Sequence, residues 1–186
     1  GALRRYLQEN DVLPDTSLIA MLPVSMHGET DKGGNQVATI LANLATNEAD
    51  PIERLQRIIA STQAAKQRMS KMVRLEKVAH TAMMMSPMLP SVITGHAASH
   101  PVFNLVISNV PGPTRDLYLN GAHLDESYPV SIPMAYQAIN ITVTSYVDKM
   151  AFGFTACRRA VPNMQRLVDY LDDAFVELEK ALGLKQ

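Results

Sequence analysis

The feature that most constrains the fold is a hydrophobic pattern that changes its period along the chain. Apolar residues recur at every second position in residues 103–110, where the run ends at the turn PGP, and again in residues 138–154, which predict a hairpin. Residues 17–25 are an almost unbroken apolar run of strand length, typical of a strand that is covered on both faces. Residues 35–44 resume this pattern and predict another strand.

Helical spacing separates these runs. Apolar residues recur at three- and four-residue steps from residue 51 to residue 86, and again in a helix that Pro162 opens and Gly183 ends. Residues 1–9 predict the end of a further helix. Within the first long helix, residues 78–85 are apolar on nearly every side, so we expect this stretch to be either deeply buried or the lining of an apolar cavity. Strands mixed with long helices predict an α/β layer architecture.

The composition is that of an ordinary globular domain. The length of 186 residues suits one domain or one lobe of a larger enzyme, and 47% hydrophobic against 19% charged residues suits a chain that folds around a core. The formal net charge is −1 and no long basic run is present, which argues against nucleic acid as a partner.

Cysteine usage and the absence of targeting segments indicate the cellular location of the protein. The single Cys157 excludes an internal disulfide, suits a reducing compartment and is expected to pack inside the protein. No apolar stretch approaches the roughly 20 residues of a membrane-spanning helix, and no secretion signal opens the chain. We therefore expect a cytoplasmic protein. Because Gly1 begins in the middle of a helical pattern, we also expect a segment before it.

Few residues match a catalytic or metal-binding spacing. The serine and glycine-rich motifs of hydrolases and nucleotide-binding proteins are absent from the sequence. His96 and His100 have the four-residue spacing of helical metal ligands, but no acid or thiolate accompanies them in sequence, so we expect no metal site. His27 and Asp31 have the spacing of a general base and a supporting carboxylate, with a polar loop as the alternative interpretation.

Several short motifs follow one another along almost the whole chain. They are GALRRYL at residues 1–7, AMLPVS at 20–25, GNQV at 34–37, SNVPGP at 108–113, YLNG at 118–121, YPVS at 128–131, INIT at 139–142 continuing to Ser145 and Tyr146, FGF at 152–154, Cys157 with Arg158, and the helix opened by Pro162. In order and spacing this combination is specific, and it resembles the C-terminal domain of the bacterial wax ester synthase/diacylglycerol acyltransferase (WS/DGAT) family.

The resemblance implies a fold and a reaction. The fold is a chloramphenicol-acetyltransferase-like lobe, in which a mixed, mostly antiparallel sheet packs against helices. The reaction is transfer of a long-chain acyl group from acyl-CoA to a fatty alcohol or diacylglycerol, without a cofactor. The family's paired-histidine motif lies in an N-terminal lobe and is missing here. Residues 1–186 are therefore expected to form one C-terminal lobe, with no catalytic residue of its own.

The implied role of this chain is to form one wall of a tunnel for apolar substrates. Methionine suits such a lining because it is flexible and polarizable, although filling of the core is the alternative for these methionines. The turn at residues 108–113 either shapes the site or is only structural. His27 stands where the family usually has Arg, so a group that titrates replaces a permanent cation. The candidate site residues are His27, Asn35, Ala82, Met85, Ser108, Asn109, Pro111 and Gly112.

The implied partners are the N-terminal lobe with the paired histidines, acyl-CoA, and a fatty alcohol or diacylglycerol. Contact with a membrane surface or a lipid droplet is left open. Two other functions also stay open at this point: a non-catalytic lipid-binding or structural lobe, and a condensation-type acyltransferase that uses carrier-protein thioesters.

Overall fold

The computed structural model describes residues 1–25, 37–94, 101–133 and 137–184, and a five-stranded sheet organises them. In chain order the elements are α1 (Ala2–Glu9), β1 (Ile19–Ser25), β2 (Val37–Asn43), α2 (Pro51–Lys71), α3 (Arg74–Met85), α4 (Leu89–Thr94), β3 (Leu105–Val110), β4 (Tyr118–Leu119), β5 (Ala122–His123), β6 (Ile139–Tyr146), β7 (Lys149–Ala156) and α5 (Arg166–Ala181).

The sheet has the strand order β2-β1-β3-β6-β7. Its two central pairings, β1 with β3 and β3 with β6, are parallel, whereas the outer pairings, β1 with β2 and β6 with β7, are antiparallel. Strands β4 and β5 form a separate antiparallel ribbon. The mixed sheet agrees with the predicted α/β lobe. Because β1, β3 and β6 run in the same direction, their carboxyl ends lie at one edge of the sheet.

The first face of the sheet is covered by three helices. Successive side chains of a strand point to opposite sides, which places Ala20, Leu105 and Ile141 together on this face. They form a buried cluster with Leu167 of α5 and Tyr6 of α1. The neighbouring part of the same face packs against α2. These apolar contacts build the main core of the described residues.

The second face carries Met21, Val106 and Thr142, and helix α3 covers part of it. β1 is thus buried on both sides, as the sequence predicts, since Ala20 and Met21 point in opposite directions and both are buried. None of the helices within the described ranges combines the length and the apolar character that crossing a bilayer requires.

The structure divides the predicted helix of residues 51–86 into α2 and α3. Met72 and Val73 between them are extended, with ψ angles of 139° and 164°. Met69 of α2 packs on the first face, whereas the Oγ1 atoms of Thr81 in α3 and Thr39 on the second face are 3.4 Å apart. The chain therefore passes around the β2 edge between the two helices. The prediction of one continuous helix was wrong, because a straight helix cannot cover both faces of a sheet.

The last helix begins at Arg166, and not at Pro162 as predicted. The backbone amides of Ala160 and Val161 donate to the Cys157 carbonyl oxygen at 3.0 and 2.9 Å, so turns occupy residues 157–165. Cys157 follows β7 and is exposed, which makes the expectation of a packed thiol wrong as well. Gly183 ends the helix as predicted, with a φ of 70° that favours glycine.

Candidate functional site

A chain of polar side chains lies on the second face of the sheet. Ser108 stands beside Thr142 because the two are register partners in the β3–β6 pair. The Thr142 side chain is buried, and its hydroxyl donates to Oδ1 of Asn140 at 3.1 Å. Ser131 Oγ lies 2.6 Å from Thr142 Oγ1. Since a hydroxyl has one proton, Ser131 is the donor of this pair, and its own oxygen keeps acceptor capacity for another group.

The turn that follows β3 is held against the end of β6 by hydrogen bonds. The Gly112 amide donates to Ser145 Oγ at 3.2 Å, and the Val147 amide donates to the Pro113 carbonyl oxygen at 2.9 Å. A Cβ on Gly112 would lie only 1.9 Å from the Ser145 carbonyl oxygen, so no other residue fits without a shift of the backbone. This contact gives the carboxyl end of β3 a rigid support.

The structure separates the predicted residues of this turn. Ser108 faces the second side of the sheet, whereas Asn109, which pairs with Val143, points to the first. Asn109 and Pro111 are both exposed, and Gly112 is half-buried against β6. Ser108 is therefore the one side chain of this group that lies next to the Thr142 chain. The predicted residues His27 and Asn35 lie outside the described residues.

Helix α3 carries apolar residues on two opposite sides. On its inner side Met84 is buried, and Met85 packs against Met21 and Phe103 on the second face. Its outer side points away from the sheet, and Leu75 and Met83 there are 78% and 76% exposed. We name this side the outer face of α3. It comprises Leu75, Val78, Ala79, Ala82 and Met83, at helical spacing.

The two α3 residues predicted to line a tunnel therefore have different surroundings. Met85 is half-buried in a core cluster, which agrees with the core-filling alternative, whereas Ala82 is exposed on the outer face. Deep burial of residues 78–85, one of the two expectations, holds for the inner side alone. The outer face is an apolar surface that nothing within the described residues covers.

An extended segment, residues 127–133, crosses the second face over β6 and β7. Its Pro129 carbonyl oxygen approaches Gly153 of β7 so closely that a Cβ on Gly153 would lie 2.1 Å from it. Tyr128, Val130 and Ile132 alternate with the inward residues and point outward, and the latter two are 86% and 84% exposed. This segment thus adds further apolar surface on the side of the sheet that carries α3.

Charged groups hold the β4–β5 ribbon next to this segment. His123 Nδ1 lies 2.8 Å from Asp125 Oδ1 and its Nε2 lies 3.3 Å from Asp116 Oδ1. The hydrogen bonds to Asp125 and then to Asp116 raise the pKa of His123, because they favour the charged ring. Lys149 Nζ donates to Glu126 Oε1 at 3.2 Å. These exposed pairs position a loop, and they place no base beside a nucleophile.

The sequence interpretation missed the pairing of Ser131 with Thr142. The available signal is the alternation in β6, where Asn140 and Thr142 share one side and Ile139 and Ile141 share the other. Polar residues on one side of a buried strand indicate a polar partner above it. That partner is eleven residues away, in a segment with no regular structure, so the pairing itself depends on the tertiary fold.

The sequence profile of the "WS/DGAT C-terminal domain" family matches residues 33–179. An O-acyltransferase of Acinetobacter baylyi is 46% identical over 186 residues, which cover 100% of this chain and 40% of that protein. A Mycobacterium tuberculosis protein that carries the name diacylglycerol O-acyltransferase is also 46% identical over 186 residues, 99% of this chain and 42% of that protein.

A solved structure agrees with these matches. The wax ester synthase/diacylglycerol acyltransferase of Marinobacter aquaeolei superposes with a TM-score of 0.85 at 43% identity, covering 98% of this chain and 41% of that one. The similarity confirms the predicted α/β acyltransferase lobe. The chain spans about two fifths of the length of the relatives that it matches.

Proposed function

The chain belongs to the WS/DGAT C-terminal domain family, and from this premise we propose that it is the second lobe of an O-acyltransferase that transfers an acyl group from acyl-CoA to a fatty alcohol or diacylglycerol. One observation carries the proposal: acyltransferases match this chain from end to end, yet it fills only about two fifths of their length. The remaining part of such an enzyme would hold the general base.

The proposed role of this chain is to form one wall of the substrate tunnel, on the second face of its sheet. The first face is closed by three helices, whereas the second face has exposed apolar surface from the outer face of α3 and from Val130 and Ile132. Exposed apolar surface of this extent is typical of a binding site or a missing partner. A second lobe placed over it would enclose a channel suited to acyl chains.

The chemistry follows from the proposed division of roles. A histidine of the other lobe would take the proton of the acceptor hydroxyl, whose oxygen then attacks the thioester carbonyl, and CoA leaves as the thiol. This chain would exclude water and orient the substrates. Ser108 and Ser131 would supply polar groups of the wall, since both adjoin Thr142 on the second face. The proposed substrates are lipids, so we also propose that the complete protein works at the surface of a membrane or a lipid droplet.

The proposal predicts that the complete protein is active and this chain alone is not. We expect acyl-CoA turnover by the complete protein to exceed that of residues 1–186 by at least about a hundredfold, the usual contribution of a general base. Thiol release and ester formation should be measured together, with the paired histidines of the other lobe changed to alanine as the control. A folded complete protein without turnover, or turnover by the isolated chain, would contradict the proposal.

Substitution on the outer face of α3 tests the proposed tunnel wall. Ala82→Phe in the complete protein would place a ring where a long substrate chain passes, so we expect kcat/KM for long-chain substrates to fall about tenfold, with little change for short ones. Ala64→Phe is the matched control, since Ala64 is an exposed alanine of α2. If both variants have equal activity on long-chain substrates, Ala82 does not line the tunnel.

A further inference from the structure

A dense group of positive charges lies where α2 ends and α3 begins. Residues 66–77 contain five cationic side chains and one acid, in a chain whose formal net charge is −1. The acid, Glu76, is engaged as a helix cap, because its Oε2 accepts from the Val73 amide at 2.9 Å. We name the cations the cationic junction. They are Lys66, Arg68, Lys71, Arg74 and Lys77.

Two members of this junction are exposed and have no acidic partner among the residues that the structure describes. Arg57 of α2 pairs with Glu48, at 2.8 Å between Nη2 and Oε2, as is usual for a surface arginine. Arg68 and Lys71, by contrast, form no ion pair with a carboxylate of the described ranges. Several like charges close together raise the local concentration of anions at a surface, which favours an anionic ligand.

The cationic junction lies at the edge of the sheet where the candidate site lies. Met72, between the two helices, and Val24, at the carboxyl end of β1, pack against the same buried cluster, which contains Ala38. Because β1 and β3 are parallel, Ser108 near the carboxyl end of β3 lies toward the same edge. Helix α3 starts at the junction and ends with Met85 packed against Val106, on the second face. The helix therefore connects the cations with the middle of that face.

The outer face of α3 continues from the cations as an uncharged apolar track. It begins at Leu75, next to Arg74, and reaches Met83, with about 1.5 Å of rise for each residue. From residue 78 to residue 94 the sequence has no Lys, Arg, Asp or Glu. The positive charge is thus concentrated at one end of the track, and the other end is apolar.

We propose that the cationic junction binds the phosphate groups of acyl-CoA, and that the outer face of α3 guides the uncharged remainder of that molecule toward the second face. This inference rests on the proposed function. Acyl-CoA has its phosphates at one end and a long neutral arm and acyl chain beyond them, which is the order of charge and apolar surface found along α3. The recognition is electrostatic at the head and apolar along the track, with no covalent step.

The distribution of charge favours this ligand over an anionic lipid surface. A helix that lies on a membrane carries Lys and Arg along the length of its polar side, so that each turn meets head groups. In α3 the cations stop at Lys77, and the side opposite the outer face is packed against the sheet through Met84 and Met85. One charged end and one apolar end match a single amphiphilic molecule that lies lengthwise.

The test uses the complete protein, with CoA as the probe of binding. Arg68→Glu combined with Lys71→Glu should raise the Kd of CoA about tenfold or more and reduce its dependence on salt, since two phosphate contacts are reversed. Arg68→Ala with Lys71→Ala should act in the same direction with a smaller effect, and it guards against misfolding of the reversed variant. Lys180→Glu is the matched control, because Lys180 is an exposed lysine at the end of α5.

Arg68 and Lys71 also lie in the last turn of α2, where cations interact favourably with the helix dipole. If this were their sole role, the variants would have a lower melting temperature and an unchanged Kd for CoA. An unchanged Kd in folded variants would overturn the inference. The inference would also be overturned if the variants kept the Kd for CoA but no longer sedimented with vesicles of phosphatidylcholine and roughly 30% phosphatidylglycerol, which have about the surface charge of an anionic membrane. If the complete protein binds CoA through these residues but has no acyltransferase activity, the inference stands and the proposed function fails.

Discussion

Replacing Gly112 with alanine is expected to lower the activity of the complete protein by about a hundredfold, because the added Cβ displaces the turn that supports Ser108. The Cβ would lie 1.9 Å from the Ser145 carbonyl oxygen, which is backbone and has no rotamer to relieve the overlap. We expect the free energy of unfolding to fall by about 3 kcal/mol, near the upper end of the usual range for overpacking. Activity assays and urea denaturation measure the two effects.

Two substitutions separate the overlap at Gly112 from other causes. Gly183→Ala also changes a glycine, at a φ of 70° with open space around it, and should cost only about 1 kcal/mol of backbone strain. Ser145→Ala removes the hydroxyl that accepts from the Gly112 amide without adding an atom, and should cost about 1 kcal/mol. If Gly112→Ala behaves like these two variants, the close contact does not hold the turn.

Replacing Leu167 with alanine is expected to cause the largest loss of stability. Leu167 is fully buried at 0% exposure, where α5 packs against the first face of the sheet together with Ile141 and Tyr6. Truncation there leaves a cavity in the main core, so we expect the free energy of unfolding to fall by about 2 to 5 kcal/mol. Urea denaturation followed by circular dichroism measures this loss.

The neighbouring Val168 provides the control for Leu167. It lies one position along the same helix and is partly exposed, so Val168→Ala should change the free energy of unfolding by less than about 1 kcal/mol. Similar losses for both substitutions would contradict the assignment of the loss to the burial of Leu167 against the sheet, because alanine is a better helix former than either leucine or valine.

The hydrophobic periods were sufficient to predict most elements, because local spacing and burial are linked. β1, β3 and the β6–β7 hairpin follow from alternation or from unbroken apolar runs, and the end of the last helix follows from Gly183. Spacing alone did not reveal the break at Met72 and Val73. Helical residues precede and follow it, and the break exists because α2 and α3 pack on opposite faces of the sheet.

The candidate site was predicted in part. The turn at residues 108–113 was recognised from its glycine and prolines, but the sequence does not say that Ser108 and Asn109 point to opposite faces in the folded sheet, or that Gly112 meets Ser145. The apolar character of α3 was visible, but not which of its sides is exposed. A hydrophobic pattern identifies residues that avoid water, and the arrangement of neighbouring elements decides which of them are covered.

By itself the sequence determined the α/β class, most of the elements and the family, since these depend on spacing and on motifs that lie close together along the chain. The tertiary structure alone decided that Ser131 meets Thr142, that the outer face of α3 is uncovered, and that the cationic junction lies at the edge of the sheet toward which Ser108 lies. The physical reason is that these features join residues from separate elements, and only the packing of the sheet with its helices brings such residues to one place.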